Sequence, residues 1–193
     1  MSAPRDTRDR ILDAARDAVI AHGYHGAGLE AVAAAAGITR VTVYRHFGNK
    51  AGLLAGLAER LAQRSQVVAR AQEALAADDP ADALNALVTA LCGLWSEDPP
   101  LMRRLIGLAA VDPEVAPVIE QRESWRHDQI RQCTRRLAAA DRLRPGLTPP
   151  EATATLCAMT RFEYTDELAT VRGTGHAATA TLLQGIIAAV VIR

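Results

Sequence analysis

The segment 37–50 constrains the fold of this chain more than any other part of the sequence. It opens with a glycine, which is typical of a helix end, and Thr39 can then cap a new helix by accepting from its first backbone N–H groups. Val43 and Phe47 stand four residues apart, so they share one face of that helix. A helix of about two turns is not stable alone, and residues 29–36 supply a second short helix just upstream. The segment therefore predicts a helix–turn–helix unit.

The outward side of the helix capped by Thr39 carries groups suited to contact with nucleic acid. Arginine can bind guanine edges, valine can contact a thymine methyl group, and hydroxyl, phenol, imidazole and ammonium groups can donate to phosphates. The alternative is an ordinary solvated surface helix, but two short helices around a glycine turn favour DNA binding. The side chains concerned are Arg40, Val41, Thr42, Tyr44, Arg45, His46 and, just beyond the helix, Lys50.

The composition fits a globular helical protein. Of the 193 residues, 49% are apolar and only 4% aromatic, which excludes a disordered chain. The net charge is zero, so only residues 39–50, with three cations and no acid, suggest a nucleic-acid partner. The three cysteines are widely spaced in apolar patterns, which indicates buried thiols rather than a metal site, and no cofactor is expected. The charged N-terminus predicts a cytoplasmic protein, and no membrane association is expected.

Periodic apolar positions separated by glycine and proline predict about nine helices and no strand. The fourth helix is predicted to place five apolar residues on one side: Leu53, Leu54, Leu57, Leu61 and Val68. The last helix is apolar around most of its circumference, so a core covers one side and a second subunit is the simplest cover for the other. The predicted helices span about residues 7–22, 29–36, 40–47, 50–77, 81–97, 101–110, 113–140, 148–171 and 176–192.

The stretch from Ile11 to Leu57 resembles the tetracycline-repressor-like (TetR) family of bacterial transcription regulators. More weakly, Phe162 through Gly173 looks like the penultimate helix of one effector-domain type in that family. The resemblance implies an all-α homodimer with a three-helix DNA-binding domain, residues 1–50, and a helical effector-binding and dimerisation domain, residues 51–193. The matching segments are Ile11–Ala15, Gly23-Tyr24, Ala33–Thr39, Val43–Phe47, Asn49-Lys50 and Leu53-Leu54.

The resemblance also implies roles for single residues. Arg40, Val41 and Arg45 match positions that reach base edges, and Thr39 begins the same recognition helix. The phosphate-contacting positions correspond to Thr42, Tyr44, His46 and Lys50.

One departure concerns the start of the second helix, where the family commonly has Thr or Ser and this chain has Ala27-Gly28. Glycine can cap a helix, but the hydroxyl contact to phosphate is lost and only backbone N–H groups remain there. Glu30 would repel phosphate, so we expect this helix to contribute little affinity for DNA.

The C-terminal region offers weaker indications of a small-molecule site. Ordinary core or interface packing is the alternative explanation for each candidate. Arg161 needs a partner if it is buried, and either an anionic ligand group or the nearby Glu163 and Asp166 could supply one. The candidates are Trp95, Met102, Trp125, Cys133, Met159, Arg161 and Phe162.

The sequence thus predicts a ligand-responsive transcription regulator, specifically a repressor that a small molecule releases from a palindromic operator. The homodimer would form through the last two helices. A helical adaptor that binds protein instead of DNA is one alternative. An enzyme is a weaker one, because the scattered histidines form no Ser-His-Asp, phosphate-loop or metal-binding pattern.

Overall fold

The computed structural model describes residues 6–26 and 28–193, with the side chains of residues 24–26 also left out. Ala27 and the side chain of Tyr24, which entered the family resemblance, therefore lie outside the described residues. The all-α class is confirmed, with eleven helices in the described part against about nine predicted. They are α1 (Thr7–Gly26), α2 (Leu29–Ala35), α3 (Arg40–Phe47), α4 (Lys50–Ser65), α5 (Val67–Leu75), α6 (Pro80–Ser96), α7 (Pro99–Ala109), α8 (Ala116–Ala139), α9 (Pro149–Met159), α10 (Phe162–Arg172) and α11 (His176–Val191).

The helices form two compact units. The first contains the described residues up to Leu61 together with Pro100–Gln121, and the second contains Ala62–Pro99 and Arg122–Arg193. The predicted functional boundary between residues 50 and 51 stays a prediction. The core of the first unit includes Ile11, Leu12, Val19, Val32, Val43, Leu53, Leu54 and Leu57. The core of the second includes Val67, Leu84, Leu87, Leu91, Ile130, Leu137, Leu156, Leu183 and Ile187.

The predicted continuous helix 50–77 is wrong, because the chain breaks between α4 and α5. Gln66 adopts the left-handed conformation, with φ 54° and ψ 28°, which is uncommon for a residue other than glycine. The break changes the phase of the buried face, so that Val67 is buried while Val68 is 46% exposed. Val68 therefore does not continue the leucine face of α4. No glycine or proline marks this position, and the burial of both neighbours, Ser65 and Val67, accompanies the break.

The predicted continuous helix 148–171 is also wrong, because it divides into α9 and α10 at Thr160 and Arg161. In an unbroken helix the carbonyl of Thr160 would accept from the backbone four residues later. Here it accepts instead from the indole N–H of Trp95 at 3.2 Å. Arg161 adopts an extended conformation and begins α10. Side-chain contacts with Thr160 therefore accompany a break that local sequence does not announce.

The last helix, α11, has one buried and one exposed side. Leu183, Ile187 and Val191 are fully buried, whereas Gly185, Ala188 and Ala189 on the other side are exposed. Among the described helices, none is long and apolar enough to span a membrane by itself. The pair α10 and α11 meets that criterion only together, and it is bent by 105°.

Candidate nucleic-acid interface

The turn between α2 and α3 has the geometry expected of a helix end closed by glycine. Gly37 has a φ of 64°, a conformation that favours glycine, and its N–H donates to the carbonyl of Ala34 at 3.1 Å. From α1, the Arg10 guanidinium donates to the carbonyl of Ala36 at 2.5 Å. The turn is therefore fixed both by its own backbone and by the preceding helix.

Thr39 caps α3 as predicted. Its backbone is extended and its hydroxyl oxygen accepts from the backbone N–H of Thr42 at 3.2 Å. The hydroxyl groups of Thr39 and Thr42 lie 2.9 Å apart and form a second hydrogen bond. Since each hydroxyl can both donate and accept, this pair positions two polar groups at the N-terminus of α3.

The two sides of α3 differ sharply in exposure. Val43 is fully buried, and Phe47 is half-buried with the Arg8 guanidinium 5.5 Å from its ring centre. In contrast, Val41 is 69% and Tyr44 is 63% exposed. Arg40, Arg45 and His46 are exposed on the same helix. One side of α3 is thus held in the core, while the other side exposes apolar, aromatic and cationic groups. Direct reading of a major groove requires such an exposed side.

The junction of α3 and α4 depends on the close approach of two glycines to Phe47. A Cβ atom on Gly52 would lie 2.0 Å from the Phe47 carbonyl oxygen, and one on Gly56 would lie 2.7 Å from its ring. The amide oxygen of Asn49 caps α4 by accepting from the N–H of Gly52 at 2.8 Å. The start of α4 therefore holds the end of α3 in place.

Lys50 begins α4 and is half-buried. Burial lowers the pKa of its ammonium group, while the carboxylates of Asp112 and Glu114 act in the opposite direction and favour the charged form. These two acids stand in the turn between α7 and α8, within the same compact unit as Lys50. Their proximity to Lys50 was not predicted from the sequence.

The start of α2 differs from that of α3. Gly28 occupies the capping position with φ −60° and ψ 142°, and no side chain bonds there. Glu30 is exposed in the first turn. The expected phosphate contact at Gly28, like the roles assigned to the α3 residues, stays a prediction.

The comparisons with known proteins decide the class of protein. Residues 11–57 match the family described as "Bacterial regulatory proteins, tetR family". The transcriptional regulator TtgR of Pseudomonas putida is 30% identical over 170 residues, which cover 85% of this chain and 79% of TtgR. The chain belongs to the TetR family. The prediction of a DNA-binding transcriptional regulator is thereby confirmed, and the relatives are regulators rather than enzymes.

Solved structures show the same fold for this TetR-family chain. The SmeT–triclosan complex is 23% identical and has a TM-score of 0.75 over 97% of this chain and 92% of the SmeT chain. SmeT is the repressor of the multidrug efflux pump SmeDEF of Stenotrophomonas maltophilia. FadR from Bacillus subtilis, in complex with stearoyl-CoA, is 17% identical, with a TM-score of 0.75 over 93% of this chain and 96% of FadR.

Two of the predicted effector residues of the TetR-family chain meet in the second unit. Trp95 and Phe162 are buried, with ring centres 5.8 Å apart in an edge-to-face arrangement. The ring of Phe162 also stacks on the imidazole of His176, with ring centres 5.4 Å apart. That imidazole pairs with the carboxylate of Asp166 at 2.9 Å. The result is a continuous buried row of rings that ends in a polar pair.

The buried arginine of this region is Arg126, which the sequence analysis missed. It is 1% exposed and binds the Glu123 carboxylate through two nitrogens, at 3.2 and 2.6 Å. It also donates to the carbonyl of Cys157 and to the hydroxyl of Thr160, at 2.9 and 2.6 Å. Its position four residues before Ile130, on the buried face of α8, was the signal that could have identified it.

The remaining residues predicted to bind the effector differ in their burial and in their neighbours. Arg161 is exposed and lies 3.5 Å from the Glu163 carboxylate, so the expectation that required its burial does not apply. Cys133 is fully buried, and burial raises the pKa of its thiol to about 11. Trp125 and Met159 pack half-buried against the core of the second unit, whereas Met102 is buried in the first. Ligand contact by any of them stays a prediction.

Proposed function

We propose that this TetR-family chain is a dimeric repressor that binds a palindromic operator through α3 and is released by a small molecule. The observation that carries the proposal is the exposure of Val41 and Tyr44 among cations on a helix whose inner side is anchored by Val43. Arg40 and Arg45 bind guanine edges, and Val41 contacts a thymine methyl group. Thr42, Tyr44, His46 and Lys50 hold the phosphates on either side.

The dimer forms through α10 and α11. Both helices expose apolar side chains to solvent, with Val171 76% and Val190 44% exposed. Small residues on the same exposed side of α11, among them Gly185 and Ala189, allow a second helix to approach closely. A symmetric contact of this kind places one α3 on each half of a palindromic operator.

The effector binds among the helices of the second unit. Support comes from the relatives, since SmeT binds triclosan and FadR binds stearoyl-CoA in their complexes. Trp95, Phe162 and Trp125 supply apolar surface for such a ligand. Ligand binding favours a conformation in which the two α3 helices no longer match successive major grooves, so the DNA-bound population falls. The protein acts in the cytoplasm, where its operator lies.

The proposal is tested by the affinity for duplex DNA of a protein with Tyr44→Ala and Lys50→Ala. Each substitution removes a phosphate contact, so binding weakens by about tenfold or more for each, and the salt dependence of binding becomes less steep. Affinity is measured by fluorescence anisotropy on a labelled random-sequence duplex that covers two major grooves.

The matched control is Arg104→Ala with Val111→Ala, which removes one cation and one exposed apolar side chain from the same unit. It should bind nearly as well as the unmodified protein. Equal binding by the α3 variant and the unmodified protein would contradict the assignment of α3. No binding by the unmodified protein at any salt concentration would favour a protein-binding adaptor.

A further inference from the structure

The buried guanidinium of Arg126 is paired with a carboxylate that itself reaches solvent. Two of its nitrogens donate to the two carboxylate oxygens of Glu123, at 3.2 and 2.6 Å, which is the bidentate geometry that arginine forms with carboxylates. The side chain of Arg126 is 2% exposed, whereas that of Glu123 is 28% exposed. The carboxylate is therefore the outer member of the pair, and water reaches it while the guanidinium stays covered.

The third nitrogen of the guanidinium is held by α9 and by the break that follows it. It donates to the Cys157 carbonyl at 2.9 Å and to the Thr160 hydroxyl at 2.6 Å. That hydroxyl is buried and donates in turn to the Leu156 carbonyl at 2.7 Å. These contacts do not involve Glu123, so they hold Arg126 in place whichever carboxylate occupies its outer side.

This guanidinium lies beside residues to which the proposed function assigns the effector. The carbonyl of Thr160 accepts from the Trp95 indole at 3.2 Å, and Trp95 packs edge-to-face against Phe162. Trp125 directly precedes Arg126 in α8 and is half-buried against the core of the same unit. A fixed cation and aromatic surface therefore occur together in the second unit.

We propose that the effector is an amphipathic carboxylate whose head group replaces the Glu123 carboxylate on Arg126. The proposal rests on the proposed function, because it assumes that the second unit holds the effector. A buried guanidinium left without a partner is costly, but exchange of one carboxylate for another keeps both charge-assisted hydrogen bonds. Glu123 turns to solvent, where its charge is hydrated, and the apolar part of the ligand packs against the aromatic side chains.

The first test compares straight-chain carboxylates, from butanoate to decanoate, with the primary carboxamides of the same lengths. Binding is followed through the fluorescence of the chain's two tryptophans, Trp95 and Trp125. A carboxamide has nearly the same shape but carries one acceptor oxygen and two N–H donors, so it does not reproduce the pairing with a guanidinium. We expect carboxylates of the series to bind at least about tenfold more tightly than their amides. Equal binding within each pair, or binding of neither series, would overturn the proposal.

The second test uses Glu123→Gln, which removes the competing carboxylate and keeps its size. The same carboxylates should bind this variant about tenfold more tightly than the unmodified protein, since no ion pair has to be broken. The control Glu73→Gln removes one charge from an exposed glutamate of the same unit and should leave binding unchanged. Glu123→Asp, whose shorter side chain withdraws the carboxylate, provides the measurement if Glu123→Gln does not fold. Unchanged binding by the folded variant, or equal tightening by the control, would contradict the exchange of carboxylates.

Arg126→Met combined with Glu123→Gln leaves no unpaired charge and should bind carboxylates no better than amides. A preference for carboxylates that survives in this double variant would place the anion elsewhere and overturn the proposal.

Release of a labelled duplex separates this proposal from the proposed function. A carboxylate that binds with the expected dependence on Glu123 and Arg126, yet does not weaken DNA binding, supports the site and contradicts a repressor released by its ligand. Release of DNA by the amides as readily as by the carboxylates supports such a repressor and overturns the carboxylate effector.

Discussion

At the scale of single residues, the position of the recognition helix depends on the missing side chain of Gly52. A methyl group there would meet the backbone oxygen of Phe47, and a backbone atom cannot swing aside as the end of a side chain can. We expect Gly52→Ala to reduce the free energy of unfolding by about 1–3 kcal/mol or more and to weaken DNA binding. Urea denaturation followed by circular dichroism measures the first effect.

Gly107→Ala is the matched control for that substitution. Gly107 lies in α7 of the same unit, and no atom lies within 4 Å of the position that its Cβ would take. The higher helix propensity of alanine should stabilise this variant by up to about 1 kcal/mol. Equal effects of the two substitutions on stability would contradict the steric role of Gly52.

The ion pair of Arg126 with Glu123 is expected to contribute to the stability of the fold. Arg126→Met leaves the carboxylate without its guanidinium partner, so we expect a loss of about 3–5 kcal/mol in the free energy of unfolding. Adding Glu123→Gln should recover part of that loss, since it removes the unpaired charge. Arg161→Met, at an exposed arginine, should change stability by less than about 0.5 kcal/mol. Similar losses at both arginines would show that burial does not distinguish them.

At the scale of helices, the structure separates boundaries set by local chemistry from those set by distant contacts. Thr39, Asp79 and Thr148 cap α3, α6 and α9 with their own side chains, and such starts could be predicted because cap and helix are neighbours in the chain. The breaks at Gln66 and Thr160 could not. The break at Thr160 coincides with its contact with Trp95, 65 residues away in the chain, and the break at Gln66 lies between two buried residues, Ser65 and Val67, with no glycine or proline to mark it.

Some features of the candidate site could likewise be predicted from the local sequence, and others depend on distant residues. The exposed side of α3 follows from the four-residue spacing of Val43 and Phe47, so its composition could be predicted. The acids near Lys50 come from the turn between α7 and α8, and only the folded chain brings them together. Arg126 is an intermediate case, because its spacing from Ile130 and Cys133 predicts burial although an arginine is usually exposed.

The capping of α6 by Asp79 should make the stability of the protein depend on pH. The N–H groups of Asp82 and Ala81 donate to the Asp79 carboxylate and hold its pKa below the usual value, and the nearby Arg142 acts in the same direction. A depressed folded-state pKa stabilises the protein above the ordinary aspartate pKa, and this contribution disappears as the pH falls through the folded-state value.

Asp79→Asn retains the capping oxygen and removes the charge, so it isolates this contribution. The unmodified protein should have the higher melting temperature at neutral pH, and the difference should shrink as the pH falls below about 4. Thermal unfolding across that range measures it. Asp79→Ala, which also loses the cap, should remain less stable at every pH. A constant difference between the unmodified protein and Asp79→Asn would contradict the role of the charge.

At the scale of the whole molecule, the proposed function requires a dimer. Gly185→Arg places a long charged side chain on the exposed side of α11, where no atom lies within 4 Å of the position that a Cβ would take. We expect this variant to be a folded monomer in analytical ultracentrifugation at micromolar concentration. Val68→Arg, at an exposed valine of α5 in the same unit, should remain dimeric. A dimeric Gly185→Arg protein, or a monomeric unmodified one, would contradict the α10–α11 interface.

If two copies of α3 read two halves of one operator, selection of bound sequences from random duplex DNA should recover both halves. We expect enrichment of a palindromic site whose half-sites are centred about one helical turn, or 34–36 Å, apart, with modest adjustment of that spacing. The same selection with Arg40→Ala and Arg45→Ala should lose guanines within each half-site. Enrichment of a single unrepeated site, or of the same palindrome by the arginine variant, would contradict the reading of a palindromic operator by two copies of α3.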